Sequence, residues 1–86
     1  MKLKVDFITQ DIDDVQFLVP LGDVAFKGTV RSNKTAAFIV NCLKEDTTEE
    51  AIVDAMFDKY EAPREMIAAD VKMVLDTLRS IEALEE

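Results

Sequence analysis

The sequence has no histidine and only one cysteine, two glycines and two prolines among its 86 residues. Without histidine it lacks the usual general base near neutral pH and the commonest metal ligand, which argues against most hydrolytic and metal chemistry. Cys42 stands in an apolar segment with no base beside it, so we interpret it as a core residue. Gly22 and Gly28 are isolated and form no phosphate-binding loop. We therefore expect no catalytic residue, no metal and no cofactor, and a protein that is not an enzyme.

Positive charge is also scarce, since 10 Lys and Arg face 18 Asp and Glu, for a formal net charge of −8. Such a surface repels phosphate backbones, so nucleic acid is not an expected partner. The sequence has no apolar run long enough for a signal peptide or a membrane span. A single cysteine cannot form an internal disulfide. We expect a cytoplasmic protein with no membrane partner.

What the sequence does contain is typical of a small folded protein. Hydrophobic residues make up 49% and charged residues 33% of the chain, which is not the composition of a disordered segment. A chain of this length builds one modest core. We predict a single domain over residues 1–86.

The first third of the chain alternates apolar and polar residues, which predicts three short strands. They fall around Val5 and Phe7, over residues 15–19 and over residues 24–30. Turn-forming residues separate them, at 11–14 and around Pro20 and Gly22. Connections this short favour an antiparallel meander over a parallel crossover.

A helical period begins after Val30, with Asn33 as a candidate N-cap. The first helix is predicted to reach about Leu43 and to bury Ala36, Ile39, Val40 and Leu43. Residues 47–50 match a capping box, in which a threonine hydroxyl and a glutamate three residues on bond each other's backbone amides. The second helix is predicted to start there and to bury Ile52, Ala55, Met56 and Tyr60.

Pro63 ends the second helix and suits the first turn of a third, which is predicted to run to about Ile81. Its buried side comprises Ile67, Val71, Val74, Leu75 and Leu78. A second row on a neighbouring face comprises Met66, Asp70, Met73 and Thr77, and it has no obvious partner within the chain. Three of the last five residues, 82–86, are glutamates, and this end is expected to fray. The predicted fold class is α+β, an N-terminal three-stranded antiparallel sheet followed by three helices in a winged-helix-like arrangement.

The third strand would form an edge of the sheet, where unpaired amides and carbonyls can accept another chain. It alternates apolar residues with Lys27, Thr29 and Arg31, which gives a basic strip on an acidic protein. With the row Met66, Asp70, Met73 and Thr77 beside it, the edge would form a groove for an added peptide strand. The alternative is that the methionines complete the core and the basic residues only aid solubility.

Four segments in order resemble the PqqD-like family, named after the pyrroloquinoline quinone synthesis protein D. They are FLVPLG at residues 17–22, SNKTAAFI at 32–39, DTTEEAIV at 46–53, and the stretch from ADV at 69–71 through LR at 78–79. Members of this family are recognition elements for ribosomally made, post-translationally modified peptides. The resemblance implies a winged-helix-like sheet and three helices that bind the leader of a precursor peptide as an extra strand. It also implies a partner that does the chemistry, a radical S-adenosylmethionine enzyme or another peptide-modifying enzyme.

The resemblance places the edge strand on Phe26, Lys27, Gly28, Thr29, Val30 and Arg31, and the helix wall on Asp70, Met73, Val74 and Thr77, to which the pattern adds Met66. Two departures stand out. Ser32 occupies a position where the family often has leucine, and residues 80–84 replace the family's usual glycine-containing turn, which suggests a longer final helix. Two other functions stay open, a winged-helix nucleic-acid binder and a structural subunit of an enzyme complex.

Overall fold

Two antiparallel sheets and three helices make up the computed structural model, which describes residues 1–21 and 30–86. One sheet has three strands in the order β2-β3-β4, namely β2 (Phe7–Ile12), β3 (Val15–Pro20) and β4 (Val30–Ser32). The other pairs β1 (Lys2–Leu3) with β5 (Leu84–Glu85). The helices are α1 (Lys34–Cys42), α2 (Glu49–Lys59) and α3 (Arg64–Ser80). The predicted α+β class, with a three-stranded antiparallel sheet followed by three helices, is confirmed.

Strands β2 and β3 form a hairpin closed by Asp13 and Asp14, which have φ angles of 51° and 64°. Two consecutive residues at positive φ match the right-handed twist of a hairpin, and aspartate tolerates that region better than most residues. The predicted turn is therefore present at Asp13 and Asp14, but the prediction is wrong at Asp11 and Ile12, which belong to β2. The predicted first strand is wrong at Val5, which lies in the turn before β2 and is 81% exposed.

The inner face of the three-stranded sheet is defined by its register. Leu18 and Gln16 of β3 are buried on that face, and Ser32 of β4 stands opposite Gln16 and is buried too. Arg31, opposite Phe17, belongs to the outer face and is exposed. Residues 24–29 of the predicted third strand lie outside the described residues, and the described part of that strand continues to Ser32.

The first two helices start at side-chain caps. The Oδ1 atom of Asn33 accepts a hydrogen bond from the amide of Ala36 at 2.8 Å, as predicted. Helix α2 begins one residue later than the predicted box requires, because the cap is Thr48, whose hydroxyl accepts from the amide of Ala51 at 3.1 Å. The residue three positions after this cap is alanine, so the reciprocal half of the capping box is absent and that prediction is wrong in register.

One apolar cluster joins the sheet to all three helices. Its buried members include Leu18, then Ile39, Val40 and Leu43 of the α1 region, Ile52, Val53 and Met56 of α2, and Ile67, Val71, Leu75 and Leu78 of α3. The prediction for α2 is wrong at Ala55, which is exposed, while Val53 is buried. Burying the larger valine removes more apolar surface from water, so the helix turns that side inward. No helix of the described residues is long and apolar enough to cross a membrane.

Helix α3 ends in a Schellman motif. The amide of Ala83 donates to the carbonyl of Leu78 at 2.9 Å, and the amide of Glu82 donates to that of Arg79 at 3.0 Å. These bonds require Glu82 to adopt a left-handed backbone with φ of 58°, a position that glycine usually occupies. The helix therefore stops at Ser80, one residue from the predicted end near Ile81. The suggestion that residues 80–84 lengthen the final helix is wrong.

The motif directs the last residues back onto the domain. Ala83 and Leu84 are buried, and Leu84 pairs with Leu3. The amide of Lys4 also donates to the carbonyl of Ala83 at 2.8 Å. The predicted fraying of residues 82–86 is wrong because this tail pairs with β1 and contributes an apolar side chain to the core.

We predict that Glu82→Gly stabilises the protein. The left-handed conformation costs an ordinary residue about 1–2 kcal/mol, part of which is offset because glycine makes the unfolded chain more flexible, so the expected gain is about 1 kcal/mol. Urea denaturation followed by circular dichroism measures it. Glu82→Ala is the matched control, since it removes the same charge but keeps a Cβ atom. An equal gain in both variants would assign the effect to charge and contradict this account.

Candidate functional site

Strand β4 has one paired side and one side without a strand among the described residues. Its register joins Val30, Arg31 and Ser32 to Leu18, Phe17 and Gln16 of β3, and the described sheet ends with β4. Alternate backbone groups of an edge strand point away from the sheet, and each needs a hydrogen-bond partner. This edge can accept the backbone of another chain in an extended conformation.

A cleft of about 170 Å³ lies where this edge approaches α3. Three elements besides β4 form it, and its lining comprises Leu18, Arg31, Ser32, Asn33, Ala36, Val40, Met73, Val74, Thr77 and Leu78. Leu18, Val40 and Leu78 are buried members of the core cluster. The cleft is therefore an opening onto the core itself, and apolar surface dominates its floor.

The α3 wall of the cleft offers carbon surface to a ligand. Met73 is 66% exposed, and Thr77 one turn later is also exposed. The Thr77 hydroxyl donates to the carbonyl of Met73 at 3.0 Å, so its hydrogen is already engaged within the helix. Val74 is half-buried beside them. An extended chain on β4 would contact the flexible methionine and the methyl groups of this wall, which suits varied apolar side chains.

The structure brings together four of the residues that the sequence nominated. Arg31, Met73, Val74 and Thr77 all line the cleft. Met66 and Asp70 belong to the same exposed row of α3 but are not among its lining residues. Residues 26–29, nominated as Phe26, Lys27, Gly28 and Thr29, lie outside the described residues. Val30 is placed in β4, at the edge.

The exposure of Met66 and Met73 excludes the interpretation that these methionines complete the core. Met66 is 57% and Met73 66% exposed. Neither residue completes the core, which α3 supplies through Ile67, Val71 and Leu75 instead. Met73 also lines the cleft, and a large apolar side chain exposed beside an unpaired strand edge is a feature of binding surfaces.

Sequence reasoning missed the contribution of α1 to the cleft. Ala36 and Val40 stand one turn apart and line its inner wall. Both were assigned only to the buried stripe of the helix. The sequence did contain one signal of the cleft, because an alanine in a stripe of larger residues leaves space beside it. Ala36 is that alanine, and in the structure it is half-buried. No group of three or more metal-ligating side chains is present within residues 1–21 and 30–86.

Together these features define a class, an α+β domain in which a strand edge and the last helix border an apolar cleft. A family model described as coenzyme PQQ synthesis protein D (PqqD) matches residues 18–84, and the chain belongs to that family. The solved structure of TbiB1 in complex with the TbiA(beta) leader peptide has a TM-score of 0.84 and 27% sequence identity, over 99% of this chain and 95% of that chain. Among curated proteins, no relative matches. The predicted family and its winged-helix-like recognition-element fold are confirmed.

Cys42 is half-buried, packs against the core cluster and is not among the residues that line the cleft. Burial raises the pKa of its thiol, which lowers the fraction of reactive thiolate at neutral pH.

We predict that iodoacetamide alkylates the folded protein severalfold more slowly than the urea-unfolded chain at pH 8, as measured by mass spectrometry. To reach the same alkylation rate as the unfolded chain, the folded protein should require a higher pH. Equal rates in the two states would show that the thiol is not shielded.

Proposed function

We propose that this protein binds the leader segment of a ribosomally made precursor peptide and presents it to a peptide-modifying enzyme. The leader adds to β4 as a further strand, between that edge and α3. The observation that carries the proposal is the coincidence of an unpaired strand edge with an apolar cleft that opens onto the core. Backbone hydrogen bonds supply affinity in this mode of recognition, and the cleft supplies specificity by receiving an apolar side chain of the peptide.

The likeness to TbiB1 supports leader binding as the function. That protein has been solved in complex with a leader peptide, and the similarity extends over nearly the full length of both chains. Membership of the PqqD family supports a peptide-handling role as well. In this chain the residues proposed to contact the peptide are those of β4 and the exposed row of α3, from residue 66 to residue 77.

The protein acts without catalysing a reaction. Holding a precursor beside an enzyme raises its effective concentration there, and this requires no general base, nucleophile or metal. The family resemblance implies that the partner is a radical S-adenosylmethionine enzyme. Cytoplasmic function is consistent with such a partnership, because the precursor is made by ribosomes.

Charge pairing on α3 argues against the alternative of nucleic-acid binding. Arg64 is paired with Asp54, while Arg79 bonds Asp76 at 3.0 Å and Glu86 at 2.9 Å. Two of the three cationic side chains of the helix are therefore paired with carboxylates and are not free to bind phosphate groups. A winged-helix protein that reads DNA needs a positive face on its recognition helix, and α3 offers none within the described residues.

The central experiment starts from the native cytosol. The tagged protein is used to capture its partners, and mass spectrometry asks whether a short precursor and a large modifying enzyme are recovered. The captured leader is then titrated into the isotope-labelled protein, and amide shifts are expected in residues 26–32 and 66–79. A leader that binds but shifts only other residues would contradict the proposed site. Capture of the enzyme without any peptide binding would favour a purely structural subunit.

We predict that Thr77→Trp blocks the cleft and weakens leader binding by at least about tenfold. The indole would occupy the space that the peptide side chain needs, while the buried stripe of α3 stays intact. Isothermal titration calorimetry measures the affinity, and thermal unfolding checks the fold. Lys72→Trp is the matched control, because it places the same ring at an exposed position of α3 that does not line the cleft. Equal loss in both variants would indicate a nonspecific effect of tryptophan.

A further inference from the structure

A second and larger cleft, of about 780 Å³, lies on the other side of α1. The β2-β3 hairpin forms one wall with Asp11, Asp13 and Asp14, and the opposite wall carries Phe38 and Tyr60 from the helical layer. The two clefts share only Ser32 and Asn33, at the junction of β4 and α1. A strand added to β4 leaves this second cleft unused.

The hairpin wall carries negative charge that the described residues do not neutralise. Asp11, Asp13 and Asp14 are exposed, and none of them takes part in an ion pair within residues 1–21 and 30–86. Lys34 and Lys59 line the helical wall but do not reach these carboxylates. The charge on this wall is thus available to a cation from outside.

A buried acceptor without a partner lies in the same cleft. Gln16 is 5% exposed, and its Nε2 donates to the Oδ1 of Asn41 at 3.0 Å. Its Oε1 is buried and has no hydrogen-bond partner within the described residues. Asp11 is the cross-strand neighbour of Gln16, so a carboxylate stands beside this amide on the same face of the sheet. Such an unmet acceptor needs a donor, and a cationic donor would satisfy the carboxylate too.

The aromatic wall already binds a cation. Phe38 and Tyr60 pack edge to face with ring centroids 5.9 Å apart. The Nζ atom of Lys59 lies 5.0 Å from the Phe38 centroid and 5.7 Å from that of Tyr60. Both distances fall in the range of cation–π attraction. Lys59 is exposed, so it can yield this position to a cation that is better matched to the rest of the cleft.

We propose that the second cleft receives an arginine side chain from a basic segment of a protein partner. A planar guanidinium has a flat face that suits the aromatic wall and several donors that suit the hairpin carboxylates and the Gln16 carbonyl, whereas an ammonium group lacks that shape. The net charge of −8 favours a basic partner at longer range. Assigning this arginine to the modifying enzyme rests on the proposed function, but the site itself does not.

The probe for this site is Nα-acetyl-arginine amide, added to the full-length isotope-labelled protein. Saturable shifts at millimolar concentration are expected in the side-chain amides of Gln16 and Asn41 and in the backbone amides of residues 11–16. Nα-acetyl-citrulline amide, which has the same shape without the charge, should not produce them. The absence of saturable shifts, or an equal response to citrulline, would overturn the proposal.

The double variant Asp13→Asn with Asp14→Asn should weaken arginine binding by about tenfold. Asparagine accepts positive φ at least as readily as aspartate, so the hairpin turn is kept. Glu45→Gln with Glu65→Gln removes two exposed charges outside the cleft and should leave binding unchanged. An equal loss of arginine affinity in both double variants would show that the effect comes from overall charge, and it would contradict the proposed arginine site. Leader binding at β4 should be the same in all of them, so a failure here is distinguishable from a failure of the proposed function.

Discussion

The burial of one stripe of α3 determines how the whole domain is arranged. Ile67, Val71, Leu75 and Leu78 must face the core, because this single cluster joins the sheet to the three helices. Helical geometry then fixes the rest of α3, and the neighbouring row is left to face solvent, with Met73 and Thr77 at the cleft beside β4. The cleft is consequently a product of core packing. Its apolar floor and its solvent-exposed rim are held by the same residues that hold the fold.

Local signals in the sequence were sufficient for most of the secondary structure. Asn33, Pro63 and the aspartates of the hairpin determine where chains turn or helices begin through short-range hydrogen bonds and backbone preference, so they could be read without tertiary information. The end of α3 could not be predicted without tertiary information. Its termination depends on a glutamate in a glycine-like conformation, and on the pairing of residues more than 80 positions apart in β1 and β5. No local preference predicts a contact of that range.

The candidate site was predictable to the same degree and for the same reason. Met73 and Thr77 belong to a helical row that is visible as a spacing in the sequence, and an unpaired edge follows from the order of a meander. The part of the site that comes from α1 requires knowing how that helix crosses the sheet. Gln16 illustrates the limit more sharply, since a glutamine in a strand gives no sign in the sequence that its carbonyl will be buried without a partner.

The pairing of Lys2 with Glu85 brings the first and last strands of the described chain side by side. The two ends of the described chain therefore lie close together. A unit built in this way can be spliced into a surface loop of a larger polypeptide, or joined at either end to a catalytic domain, without stretching its host. The architecture thus permits covalent attachment to a larger polypeptide as readily as free association.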